Sequence, residues 1–117
     1  MQSIDTKYLT EMRRQKDDLT IINVLSHEHF HQRHIPGSKN IPVAEADFAE
    51  KVESRVGGRD EPVVVYCASE ECDASEKAAA KLDEAGFREV YDYTGGMRAW
   101  QEAGQPVQAG AHPGGSS

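Results

Sequence analysis

The feature that most constrains this chain is the run Val63-Val64-Val65-Tyr66, entered from Pro62 and ended by Cys67. Unbroken rather than alternating apolarity marks a strand covered on both faces, the habit of parallel sheets. Parallel neighbours need crossover connections, and the flanking sequence supplies helical ones. Asp5 can cap a helix over residues 6–15, with Leu9 and Met12 on one face. Residues 19–24 read as a strand, Ser26 as the cap of a short polar helix, and residues 39–41 as a brief strand between Pro36-Gly37 turn chemistry and Pro42. Residues 46–53 read as a helix turning Phe48 and Val52 inward. Beyond the central run, Asp73 or Ser75 can cap a helix reaching Ala85, whose Ala78, Ala79, Leu82 and Ala85 form a stripe and which Gly86 stops. Residues 90–93 are a last strand, and a closing helix over about 98–103 ends at Gly104. The expectation is an α/β fold, a small parallel sheet of about five strands with helices on both faces.

A length of 117 residues, 38% of them hydrophobic, suits one modest core. Residues 1–107 are read as the domain, and residues 108–117, rich in Gly, Pro and Ser, as a flexible tail. A formal charge of −7, from 20 acidic against 13 basic residues, argues against nucleic acid or an anionic membrane as the main partner. No apolar stretch approaches the ~18 residues of a membrane span, and the first residues lack the basic and apolar regions of a leader, so a cytoplasmic protein is expected.

Open parallel sheets bind ligands at the carboxyl ends of their strands. Cys67 stands directly after the most buried strand and a few residues before a helix, so its sulfur is placed where ligands bind. The chain has 2 cysteines, Cys67 and Cys72; they make no disulfide framework, and their presence points to chemistry.

Three segments resemble the rhodanese family, in order, along most of the chain: His34-Ile-Pro-Gly-Ser-Lys-Asn-Ile-Pro42, Val64-Val-Tyr-Cys67, and Gly95-Gly-Met-Arg-Ala-Trp100-Gln-Glu-Ala-Gly104-Gln-Pro-Val107. The resemblance implies a sulfurtransferase in which Cys67 takes sulfane sulfur from a small donor, thiosulfate or a persulfide, and passes it to a thiol or to cyanide; a persulfide-carrying protein is a further candidate partner. It implies no metal and no organic cofactor. Backbone amides of Ala68, Ser69, Glu70, Glu71, Cys72 and Asp73 are expected to cradle the persulfide, and with a helix N-terminus behind them no separate base is needed.

The same segments depart from the family pattern. The loop Cys67-Ala-Ser-Glu-Glu-Cys-Asp-Ala-Ser75 lacks the usual glycine and basic residues, and Asn23 and Leu25 replace an Asp and an Arg. At ~7 Å in water each loop carboxylate would oppose a thiolate by ~0.6 kcal/mol. Three together nearly match the ~2 kcal/mol a helix terminus supplies at best. The expectation is a Cys67 pKa near that of an ordinary thiol, weak affinity for thiosulfate, and a persulfide as natural donor. Cys72 is a candidate resolving thiol, able to attack a Cys67 persulfide if the loop curls, and otherwise a small packed residue. The spacing of His27, His29, His31 and His34 resembles that of metal ligands, but alternate helical residues point apart, so these are read as surface histidines. Trp100 and Tyr91 are read as core anchors. A phosphatase of related fold would need an arginine where Asp73 or Ser75 stands. A noncatalytic module that binds a protein or reports redox state is the stronger rival to the enzyme.

Overall fold

A computed structural model describes residues 1–69 and 71–109; Glu70 and residues 110–117, nearly all of the expected tail, lie outside the described residues. Strands β1 (Gln2–Ile4), β2 (Thr20–Asn23), β3 (Lys39–Asn40), β4 (Val63–Tyr66) and β5 (Val90–Tyr93) form one sheet in the order β1-β5-β4-β2-β3. Every pairing is parallel. Helices α1 (Thr6–Gln15), α2 (His27–Gln32), α3 (Phe48–Val56), α4 (Ala74–Glu84) and α5 (Gly96–Glu102) make the connections and close the fold.

The apolar run lands in the middle of the sheet as β4, flanked by β2 and β5, with all four residues buried. Its side chains alternate between two cores. Val63 and Val65 join Phe48, Val52, Ala78 and Leu82 on the side of α3 and α4, and Cys67 continues that face. Val64 and Tyr66 join Ile4, Leu9, Tyr93 and Trp100 on the side of α1 and α5. Trp100 is clamped from three directions: its indole N–H donates to Pro106 O at 2.7 Å, Tyr93 meets it edge-on, and the Arg13 guanidinium lies 5.5 Å from its ring centroid. The Tyr66 hydroxyl accepts from Ile35 N–H at 3.0 Å and contacts Ser38 Oγ at 2.9 Å, which ties the Pro36-Gly37 turn to the end of β4.

Asp5 caps α1 by accepting from Tyr8 N–H, and Ser26 caps α2. Other boundaries differ from the sequence expectation for physical reasons. β1 is an edge strand of which Ile4 alone is buried, so no alternation announces it. α3 runs on to Val56 because the stop is Gly57, with φ 94°. α5 begins at Gly96, two residues early, where its first amides find carbonyl partners across the fold. Asp73 precedes α4 but makes no side-chain cap; its carboxylate pairs with Lys77 at 3.4 Å. His34 is not on the surface: it is 2% exposed, donates Nδ1–H to Phe30 O at 2.8 Å and stacks on the Phe30 ring. Tyr91 is half-buried rather than a core anchor. No helix among the described residues is long and apolar enough to cross a membrane.

Trp100→Ala should therefore cost about 3–5 kcal/mol of unfolding free energy in a urea titration, the usual penalty for emptying a large aromatic site. A loss below ~1 kcal/mol would mean that this clamp does not hold the α1/α5 core together.

Candidate active site

Cys67 leaves β4 at its carboxyl end, and the residue as a whole is 1% exposed. Its peptide is fixed from the far side of the sheet. Met97 N–H donates to Cys67 O and Arg98 N–H to Ala68 O, each at 2.9 Å. In trans peptides the following N–H opposes the carbonyl, so the amides of Ala68 and Ser69 face away from α5. Gly96 makes this approach feasible: its φ is 60°, and a Cβ there would lie 2.3 Å from Cys67 O.

The loop then curls back on itself. Cys72 N–H donates to Ser69 O at 3.1 Å, which removes one amide from the expected cradle. What faces the sulfur instead are acceptors: Cys72 O at 3.3 Å, Ser75 Oγ at 3.6 Å and Ser69 O at 3.8 Å. These suit a thiol that donates its proton rather than a thiolate. Burial pushes the Cys67 thiol above its ordinary range, contact with the Cys72 thiol pushes the same way, and the Ser75 hydroxyl opposes both. The expectation of an ordinary pKa is thus corrected upward, and by a different cause.

The side chains of Glu71 and Asp73 do not converge on the sulfur. Glu71 accepts from Ser69 Oγ at 3.0 Å and lies 3.9 Å from the Arg98 guanidinium, while Asp73 turns to Lys77. Sequence distance concealed Arg98, which is far along the chain and adjacent in space. Glu70 lies outside the described residues. Ala68, Ser69, Glu71, Cys72 and Asp73 form the described part of the loop, and Ala68 and Ser69 reach a cleft of about 320 Å³ walled by Leu25, Arg33, Met97 and Arg98.

Asn23 and Leu25 stand at the neighbouring strand end. Asn23 Oδ1 accepts from Leu25 N–H at 2.9 Å, and Asn40 Nδ2 donates to the carbonyls of both, so a neutral network occupies the place of the family's charged pair. Asn23 Nδ2 is buried without a partner. One charged residue in the sheet escaped the sequence reading. Asp92 in β5 is 2% exposed, Oδ1 has no partner, and burial raises its pKa while the Ser75 hydroxyl opposes the rise. The period-two pattern was the available signal, since it puts Asp92 on the same face as Val90, toward α4.

Two outcomes follow. Gly96→Ala should break the contact with Cys67 O, costing about 1–3 kcal/mol through strain and altering the rate at which iodoacetamide labels Cys67; unchanged stability and labelling would show that the approach is not needed. Asp92→Asn should stabilise the fold at pH 7. A carboxyl whose folded pKa is raised favours folding when protonated, and that benefit is lost as pH climbs through the folded value. The advantage of Asn should therefore shrink as pH falls toward 4 in parallel denaturation series, and a pH-independent difference would contradict the burial argument.

Comparison with known proteins places this geometry. The model of the rhodanese-like domain matches residues 5–103. An HTH-type transcriptional regulator of Mycobacterium tuberculosis is 38% identical over 99 residues, 85% of this chain but 42% of that protein, so the chain spans less than half of that relative. Thiosulfate sulfurtransferase GlpE of Coxiella burnetii is 30% identical over 87 residues, 74% of this chain and 75% of that protein. The crystal structure of thiosulfate sulfurtransferase from Pseudomonas aeruginosa shares the fold, with a TM-score of 0.80 at 24% identity, covering 94% of this chain and 20% of the other. The match that begins at the cap of α1 and ends at the last turn of α5 takes in every strand but the edge strand β1, and the chain belongs to the rhodanese-like domain family.

Proposed function

We propose that this domain is a sulfurtransferase in which Cys67 attacks the sulfane sulfur of a donor, holds it as a persulfide and releases it to a thiol or to cyanide. The observation that carries the reading is the setting of Cys67 at the carboxyl end of the central strand, with its peptide held by the first amides of α5. The GlpE relatives, named for thiosulfate sulfurtransfer, support the same reaction class. Amides of Ala68 and Ser69, turned away from α5, would receive an anionic persulfide, with Glu71, Cys72 and Asp73 in the same loop; Glu70, expected in the same role, lies outside the described residues. We assign a persulfide as donor, carried by a small thiol or by a protein. The cleft beside the loop offers Leu25 and Met97 to a carbon skeleton, which thiosulfate lacks, and Arg33 and Arg98 to its carboxylates.

Cys72 is assigned as a resolving thiol. The curl that brings its carbonyl within 3.3 Å of the Cys67 sulfur supports this reading. Its sulfur would attack Cys67 Sγ, form the Cys67 to Cys72 disulfide, break the bond to the outer sulfur and expel hydrosulfide, which keeps the Cys72 proton. An external dithiol would reset the pair.

A second reading is favoured by the 1% exposure of Cys67: a sensing or binding module whose cysteine never turns over. Its relative among transcriptional regulators fits that reading as well. Intact mass after incubation with thiosulfate or glutathione persulfide, then cyanide, separates the two. The expected result is a cyanide-labile gain of one sulfur, larger with the persulfide, absent in Cys67→Ser and longer-lived in Cys72→Ser. No gain from either donor with the fold intact would favour the binding module.

A further inference from the structure

In a chain with 20 acidic residues against 13 basic ones, a cation without an anion is unusual. Arg59 pairs with Glu53, Lys77 with Asp73 and Arg98 with Glu102. Lys39 and Arg55 do not follow: neither side chain has an ion pair or a hydrogen bond among the described residues, and both line one cavity of about 460 Å³. Each position has a local explanation. Arg55 stands in the last turn of α3, where the helix dipole favours a cation, and Lys39 lies in the edge strand β3, where lysine discourages pairing with another sheet. Neither explains why the two share a cavity that, among the described residues, no carboxylate lines. Glu45, 3.9 Å from His27 at its edge, is held by Lys51 at 2.7 Å.

The inner wall of the cavity is built from buried groups. His34 and Phe30, 2% and 5% exposed, stack with ring centroids 3.8 Å apart. A carbonyl can only accept, so the 2.8 Å bond to Phe30 O fixes the His34 proton on Nδ1 and makes Nε2 of the neutral ring an acceptor. Nε2 has no hydrogen-bond partner among the described residues, and it is the polar atom that this ring has left for the cavity it lines. Gln108 is clipped beside it by a pair of backbone bonds, His34 N–H to Gln108 O at 2.8 Å and Gln108 N–H to His34 O at 3.0 Å. Its side-chain Oε1 is a second acceptor, buried and without a donor. Unmet polar atoms of this kind are costly in a fold, and here two of them stand beside two unpaired cations. The complementary chemistry is a molecule that is anionic in one part and carries hydroxyl donors in another.

We propose that this cavity binds a small phosphate ester of a hydroxylated molecule, a sugar phosphate or a nucleoside monophosphate, with its phosphate on Lys39 and Arg55 and a hydroxyl donating to His34 Nε2. A guanidinium and an ammonium together match a phosphate dianion better than a single carboxylate. The cavity lies within the range of about 300–1,000 Å³ typical of small-molecule sites, and inorganic phosphate alone would leave the acceptors unmet. The site is separate from the one that carries sulfur. Helix α2 divides them: His27 and His31 line this cavity, while His29 and Arg33, with Gln32 between them, line the cleft beside Cys67. The inference therefore does not rest on the sulfur-transfer reading.

The test is a titration of the whole chain with ribose 5-phosphate, adenosine 5′-monophosphate, ribose and inorganic phosphate, followed by NMR of histidine rings and backbone amides. Salt at about 0.15 M keeps loose surface attraction screened. Either ester should give saturable shifts centred on His34, Lys39 and Arg55, with a Kd at or below about 1 mM, the upper end of the range in which enzymes meet their metabolites. Inorganic phosphate should bind about tenfold more weakly, the effect of one or two unmade hydrogen bonds, and ribose should give no saturable shift. The tighter ester then tells a sugar phosphate from a nucleotide. Lys39→Ala and Arg55→Ala should each weaken ester binding about tenfold, the loss expected for one charge-assisted hydrogen bond. Both side chains are exposed and leave no partner behind, so the melting midpoint should hold and the loss be read as binding. Three outcomes would overturn the proposal: no saturable shift with either ester, inorganic phosphate bound as tightly as the esters, or binding lost in Arg98→Ala and kept in Lys39→Ala, which would put the anion in the cleft beside Cys67.

Discussion

Two hydrogen bonds organise the functional end of this domain: Met97 N–H to Cys67 O and Arg98 N–H to Ala68 O. They are the means by which the last helix, which packs on the opposite face from α3 and α4, controls the peptide planes of the cysteine loop. Both termini of the contact are otherwise in difficulty. The first amides of a helix have no intrahelical partner, and the first carbonyls after a strand have lost their ladder. Each deficit satisfies the other, and the exchange fixes the direction of the next two amides. The geometry tolerates no side chain at Gly96, so the glycine there is explained by backbone approach.

Around that anchor the site is arranged by removing charge rather than concentrating it. The family's Asp and Arg at the end of the first core strand are here Asn23 and Leu25, which share hydrogen bonds with Asn40 and leave no stranded ion. Replacing both partners of a buried pair is the mild way to lose it. The carboxylates of Glu71 and Asp73 are turned outward onto Ser69, Arg98 and Lys77, where solvent screens them. Among the described residues Asp92 is then the one carboxyl left buried.

Much of the fold was legible in the sequence because its signals are local. The β4 run, the Asp5 and Ser26 caps and the Gly86 and Gly104 stops each depend on residues close in the chain, and each lands where expected. β1 was illegible because an edge strand of 3 residues with one buried side chain has no period to read. The site divides the same way. Cys67 announces itself at the end of an apolar strand, but Gly96, Arg98 and Asp92 come to it from 25 or more positions away, along two other elements. Estimating the thiol from its nearest neighbours in sequence gave weight to Glu71 and Asp73, which turn aside, and none to burial, which dominates.

A buried thiol with a raised pKa is commonly read as a structural cysteine, inert because its anion is disfavoured. That inference holds only if the proton must go to water. A thiol that loses its proton only as it attacks does not need its anion to exist alone. A neutral thiol meanwhile resists stray oxidation and alkylation. Exposure and pKa taken residue by residue would thus assign Cys67 to the core. What argues otherwise is its place at the carboxyl end of β4, with its peptide held by the first amides of α5.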